Sequence, residues 1–329
     1  MKKALVAFGG NALIKSQELG LQKQQIENAK EAAEMVVRLV EQGFLPVLVH
    51  GNGPQVGNVL LQQEEAGNRV PPYTMDICGA QTQGSIGYLL QRCLENLLHM
   101  KRIPMPVATL LTEVVVDRED KGFRNPTKPV GPFYEEFRAR MLERERRWVV
   151  KEDSGRGWRR LVPSPEPLRI VQMDIIRQLT ESGVLVNACG GGGIPVVEDP
   201  FGYLIGVEAV IDKDRTAAML AAELDVSVFI ILTGVEKVYL DFGKTSQRAL
   251  DVMTVSEARQ HLAEGQFPPG SMGPKIEAAA DYIAKGGKEV LITTAEALAT
   301  GRLEETGTRI VAETANSENP ALETHYAAR

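Results

Sequence analysis

The sequence is poor in rings and in histidine: Phe, Trp and Tyr make up 5% of 329 residues, and there are 4 His. Sparse aromatics argue against a base-stacking surface, and so few histidines leave no His-rich site and no visible Ser/His/Asp relay. The three cysteines, Cys78, Cys93 and Cys189, lack CxxC spacing. That excludes a zinc ribbon and reads as reduced thiols in a cytoplasm. No apolar run reaches membrane length, and Met1-Lys2-Lys3 precedes neither a long apolar core nor a small-residue cleavage site. The expected location is cytoplasmic, with no membrane partner. A formal charge of -6 gives no electrostatic footprint for nucleic acid, so an anionic ligand must be held by local lysines and amides.

The length allows about two ordinary domains, or one large α/β unit with a smaller lobe. The organising stretch is Val184 to Asp214. Val184-Leu185-Val186 reads as a buried strand running through Ala188 and Cys189 into Gly190 to Gly193. Glycines reach positive φ at no steric cost, so their amides can converge on an anion; phosphate is the expected guest. Beyond Ile194 to Val197 and a turn at Gly202, the apolar run closes in Asp212-Lys213-Asp214. Flanking Val/Ile strands disfavour a flexible linker here.

Elsewhere strands alternate with helices. Ala4 to Phe8 is a strand ending in Gly9, Gly10 and Asn11; a helix follows from Gln22 to Gln42, stopped by Gly43; a strand from Pro46 to Val49 ends in His50-Gly51-Asn52-Gly53, with Pro54 opening the next helix. Pro106 to Val116 reads as one strand. A charged, proline-bearing insertion then runs to about Pro167, with a helix from Glu135 to Arg147. The pattern resumes with a helix carrying Ile170, Met173, Ile176 and Leu179, and later a helix from Arg215 to Leu224, the strand Val228 to Leu232, a capping box at Thr254 and Glu257, a helix from Pro274 to Ala284 and the strand Glu289 to Thr293. This alternation predicts a mainly parallel sheet, with ligands beyond the carboxyl ends of its strands. The polar segment from Glu313 reads as a frayed tail.

Two nucleotide motifs fail on spacing. Gly243-Lys244-Thr245 lacks the earlier P-loop glycine, whose place holds Val238, and Gly51 to Gly57 is one residue too long for the dinucleotide fingerprint. His50 reads as a packing residue. Lys275, just after Pro274, falls in a first helical turn, where the dipole disfavours its charge unless an anion also binds.

Phe8-Gly9-Gly10-Asn11-Ala12, His50-Gly51-Asn52-Gly53-Pro54-Gln55-Val56-Gly57, Asn125-Pro126-Thr127-Lys128-Pro129, Lys151-Glu152-Asp153, Gly190 to Pro195, Val207 to Asp214 and Gly270-Ser271-Met272-Gly273-Pro274-Lys275 together resemble the carbamate kinase family of the amino acid kinase superfamily. The resemblance runs from Met1 to about Val311. It implies a three-layer αβα sandwich with a mainly parallel sheet and a protruding lid. The core would span 1–117 and 168–312, its first half on the carbamate side and its second on the nucleotide side, with 118–167 as the lid and 313–329 as a tail. It implies reversible phosphoryl transfer from ATP to carbamate, giving carbamoyl phosphate and ADP, with Mg²⁺ held mainly by the nucleotide phosphates, a homodimer and a place in arginine metabolism. By position it assigns catalysis to Lys128, Asp212, Lys213 and Lys275, with Asp212 as organiser. Gly9, Gly10, Asn11, Gly51, Asn52 and Gly53 fall on the substrate side; Gly190, Gly191, Thr233, Gly234, Lys213, Met272 and Lys275 fall on the nucleotide side. Many superfamily members carry a lysine where Phe8 stands, as carbamate kinases do not, so that cation must come from elsewhere.

Carbamate is already an anion, so its oxygen can attack phosphorus without a general base; alignment and charge neutralisation suffice. A relative acting on an amino-acid carboxylate would need a side-chain pocket, whereas these loops offer mostly backbone. A non-catalytic nucleotide sensor is expected to have lost one of the charged residues, all of which are present.

Overall fold

The computed structural model describes residues 1–313 apart from 10–12, 16, 17, 154, 269 and 302. The chain begins β1 (Lys2–Phe8), α1 (Gln22–Glu41), β2 (Phe44–His50), α2 (Gly53–Ala66), α3 (Met75–Met100) and β3 (Val107–Thr109). After β4 (Glu113–Val116) come α4 (Lys121–Arg124), β5 (Lys128–Tyr134), α5 (Glu136–Arg146), β6 (Val149–Glu152), β7 (Trp158–Val162) and β8 (Pro167–Ile170). Next are α6 (Met173–Glu181), β9 (Leu185–Asn187), β10 (Ile194–Glu198), β11 (Leu204–Gly206), α7 (Lys213–Glu223) and β12 (Val228–Leu232). The remainder is β13 (Val238–Leu240), β14 (Arg248–Leu250), β15 (Val252–Thr254), α8 (Val255–Ala263), α9 (Met272–Ala284), β16 (Glu289–Thr293), α10 (Ala295–Thr300) and β17 (Thr308–Val311).

The main sheet has eight strands in the order β15-β17-β16-β12-β1-β2-β9-β3. Every neighbouring pair is parallel except β16 with β17. Continuous apolar strands are what a sheet covered on both faces requires, and the strand period of two sorts them into two cores. Leu5, Ala7, Val47, Val49, Phe229 and Ile231 join Ala217 of α7 and Ile276 of α9 on one face. Ala4, Val6, Leu48 and Ile230 join Val36 of α1 and Leu90 of α3 on the other. This is the expected αβα sandwich. The helix ahead of β2 stops as its glycine demands, since Gly43 has φ +88°, where a Cβ would be strained. Parallel pairing brings the ends of β1, β2, β9 and β12 to one edge, and the glycine loops lie there. No helix among the described residues is long and apolar enough to cross a membrane.

Three sequence expectations need correction. Pro106 to Val116 is two strands in different sheets, because Gln83 wedges at the break: its Nε2 donates to the Thr112 carbonyl and its Oε1 accepts from the Thr112 N–H. β4 thereby leaves the main sheet for a second one, ordered β11-β10-β4-β8. Ile170 ends β8, and the helix begins only at Met173. The insertion is more than a proline-stiffened loop with a helix. It folds its own antiparallel sheet, β5-β7-β6, with Arg140 stacked at 4.3 Å on Trp158 and Arg160 at 4.6 Å on Trp148.

Candidate functional site

At the sheet's ligand edge two helices begin side by side. Asp212 is the N-cap of α7, and its carboxylate accepts the Asp214 N–H at 2.9 Å. The charged triplet that closes the apolar run is thus a helix start, the helix beginning at Lys213 and not at Arg215. Capping fixes the next two side chains: Lys213 opens the helix and Asp214, one turn position on, points inward and is 5% exposed. Asp214 receives Lys213 Nζ at 2.5 Å on one oxygen and Lys275 Nζ, from the first turns of α9, at 3.0 Å on the other. Lys128, the first residue of β5, reaches across to Asp212 at 2.5 Å. Three ammonium groups therefore meet two carboxylates, leaving one net positive charge between two helix N-termini, a setting that favours a further anion.

Burial alone would raise the pKa of Asp214, but Lys213 and Lys275 outweigh it and hold the carboxyl well below the usual carboxylate range. Burial likewise pulls upward on Asp212; Lys128 prevails despite the neighbouring Asp214, and the net direction is down. Burial and the adjacent Lys213 lower the Lys275 ammonium, even with Asp214 bonded to it. The anion that answers the misplaced Lys275 is, within the chain, Asp214.

The direct ion-pair partner of Lys213 and Lys275 is Asp214, which sequence reasoning missed, while Asp212, expected as their organiser, bonds Lys128 and acts on those two lysines through its charge. The signal was present in the sequence: a carboxylate two residues after an N-capping aspartate sits in the first turn and can face the interior.

The glycine run also differs from expectation. All four residues are buried, and a Cβ on each would collide: at Gly190 with His50, at Gly191 with Asn52, at Gly192 with the Ile211 carbonyl, at Gly193 with Val114. Neighbours, more than a ligand, exclude side chains here. The Gly192 and Gly193 amides are spent inside the turn, on the carbonyls of Cys189 and Gly190. Thr216 of α7 donates to the Gly192 carbonyl at 2.8 Å, tying the run to the lysine helix.

On the substrate side, Gly51 and Asn52 are buried, and Gly53 is exposed as the first residue of α2. The Gly51 N–H donates to the Phe8 carbonyl at 3.0 Å, so that amide is not free for substrate, and Asn52 donates to Thr82 at 2.8 Å. Gly9 follows β1 beside this loop, whereas Gly10 and Asn11 lie outside the described residues. Thr233 and Gly234 follow β12, tied by the Thr233 N–H to β16, and Met272 opens α9. His50 is structural as expected: 2% exposed, its ring against the Gly51 carbonyl, its pKa pushed down to about 4 by burial. The cysteines are free and buried; burial pushes the Cys189 thiol up to about 12.

A cavity of about 460 Å³ is lined by Leu60, Glu64, Tyr134, Arg138, Trp148 and Arg160 among others, and by none of these lysines. Convergent charge marks the candidate site better than volume does, since perturbed titratable groups are what binding and catalysis require.

A parallel αβα sandwich with paired lysines at its ligand edge defines a class before it defines a protein. The sequence profile of the amino acid kinase family matches residues 2–294, and the chain belongs to that family. Its relatives include the carbamate kinase of Pyrococcus horikoshii, 43% identical over 311 residues (94% of this chain, 99% of the relative), and that of Staphylococcus haemolyticus, 48% identical over 301 residues (91% and 96%). The structure of carbamate kinase from Giardia lamblia bound to AMP-PNP superposes with a TM-score of 0.88 at 37% identity, covering 95% of this chain and 99% of that one.

Proposed function

We propose that this chain transfers a phosphoryl group between ATP and carbamate, giving carbamoyl phosphate and ADP reversibly. One observation carries the proposal beyond likeness: Lys213 and Lys275, held on the two oxygens of Asp214, with Lys128 facing them from Asp212. Negative charge spread over a transferring phosphoryl group is stabilised by preorganised cations in a partly dry site. Lys213 and Lys275 bind that charge from the nucleotide side, where Gly190, Gly191, Thr233, Gly234 and Met272 complete the wall. Asp214 keeps the two ammonium groups together against their own repulsion. Carbamate sits against the loops Gly9 to Asn11 and Gly51 to Gly53, and its anionic oxygen attacks without a base.

Residues 118–167 act as a lid on the core 1–117 and 168–312, and Lys128 at the start of β5 is the cation it delivers, standing in for the charge Phe8 cannot supply. Mg²⁺ fits as a companion of the nucleotide: both site aspartates are occupied by lysines, so the ion would be held by phosphate oxygens, where it shields their charge. The family likeness supports a homodimer, which light scattering of the purified chain will test.

The deciding experiment is ATP formation from ADP, Mg²⁺ and carbamoyl phosphate, with aspartyl and glutamyl phosphates as controls. Turnover confined to carbamoyl phosphate is the expected result. No ATP from folded protein would overturn the proposal.

A further inference from the structure

Gln55 is 7% exposed, and neither its Nε2 nor its Oε1 has a hydrogen-bond partner among the described residues. A primary amide stripped of water and left unpaired costs stability, and native chains rarely retain one without a use. Its position suggests the use. Gln55 lies in the first turn of α2, three residues after the N-cap Asn52. Residues three apart share a helix face, and the Asn52 amide packs where a Gly191 side chain would stand. Two residues further on, Gly57 meets Gly131 of β5, with a Cβ to Cα approach of 3.4 Å. The first turn of α2 therefore lies between the glycine run that touches Asp212 and the lid strand that begins at Lys128.

We propose that Gln55 is the residue that recognises the amino group of carbamate. The assignment rests on the reaction proposed above. Carbamate joins an NH₂ donor and two acceptor oxygens on one planar carbon; a primary amide presents the complement, Oε1 accepting from the amino group while Nε2 donates to an oxygen. The pair closes as two roughly parallel hydrogen bonds and leaves the other carbamate oxygen for phosphorus. Acetate, with a methyl in place of NH₂, leaves Oε1 buried and unpaired, and sites built to hydrogen-bond a substrate N–H reject analogues lacking it. The Gly51 N–H, already spent on Phe8, cannot make this distinction.

The test compares the wild-type chain with Gln55→Met, which keeps the length and removes both polar atoms, using carbamoyl phosphate and acetyl phosphate with ADP and Mg²⁺. For each acyl phosphate kcat and KM are measured, or the inhibition constant where acetyl phosphate turnover is undetectable. The expected result is a preference for carbamoyl phosphate that falls at least about tenfold in the variant, mainly through its KM, with the KM for ADP changed less than about twofold. Melting temperature should hold or rise, because the orphan amide is gone. An unchanged preference in a stable variant overturns the Gln55 assignment and leaves the reaction intact; absence of wild-type turnover overturns the reaction and the assignment together. Should the Met variant not fold, Gln55→Glu keeps shape and acceptor but sets a negative charge against the anion. Loss of carbamoyl phosphate turnover with ADP binding intact then supports the assignment, and retained selectivity overturns it.

Discussion

The two lysine–aspartate groups of the site differ in how they are held. Around Asp214 everything is enclosed: the side chains of Lys213, Lys275 and Asp214 are 14%, 12% and 7% exposed, and both lysines stand on helices of the core. The Lys128–Asp212 pair spans two bodies, β5 of the insertion and α7 of the core, and Lys128 is 36% exposed. Enclosure makes the first group a fixed mould for charge, with little to rearrange when a phosphoryl group arrives. The second is the contact that the proposed lid would open. On that proposal one end of the site is preorganised, and the other is assembled around its guest.

The sharpest way to break this contrast is Asp214→Asn. It leaves two buried ammonium groups facing each other, so kcat should fall on the order of 10³ and the fold should lose roughly 3–5 kcal/mol, read from turnover and denaturant titration of one preparation. A variant of normal stability and near-normal rate would show that the enclosed group is no mould. Lys213→Ala and Lys275→Ala should each lower kcat on the order of 10², a few kcal/mol of transition-state stabilisation; a severalfold change would reduce that lysine to ground-state binding.

Lys128→Ala should lower kcat by about 10 to 10² while calorimetry finds ADP affinity nearly unchanged, because the enclosed group holds the nucleotide without the lid. Hydrogen exchange over residues 118–167 should slow when ADP, Mg²⁺ and a carbamoyl phosphate analogue bind together. Equal exchange in both states would make the insertion as rigid as the core and erase the difference. The smallest effect concerns acid. The folded pKa of Asp214 lies below its unfolded value near 3.8, so the stability this carboxylate contributes is complete above that value and is lost as pH falls from there through the folded pKa. Over that window wild type should lose more stability than Asp214→Asn, which has no such proton to take up. Parallel acid titrations of the two would locate the cluster's anchor elsewhere.

Strands flanked by clear stops could be read from the residues: Val228 to Leu232 and Glu289 to Thr293 are observed with those bounds, because each is built on an apolar run, Val228 to Leu232 and Val290 to Ile292, in a doubly covered sheet. α3 gave no comparable signal. Its 26 residues include Gly79, Gly84 and Gly87, which weaken helical propensity, and Gly87 is required because a side chain there would strike Thr109. The lysines were legible through their motif. Which aspartate they use was not, since that depends on the capping geometry at Asp212, two residues away. The glycine run misled for a related reason: a sequence shows that side chains are excluded, and only the fold shows whether a ligand or a neighbour excludes them.

That run works as a spacer gauge. His50 and Asn52 press on it from the end of β2 and the start of α2, Ile211 and Asp212 from the start of the helix that carries Lys213, and bare backbone is all that separates them. On the proposed reaction, the span the phosphoryl group must cross is thereby set by the thickness of a peptide. One added methyl at Gly191 or Gly192 would wedge the halves apart by about the ångström that near-attack geometry cannot spare. Substrates bound as tightly as before would then sit too far apart to react.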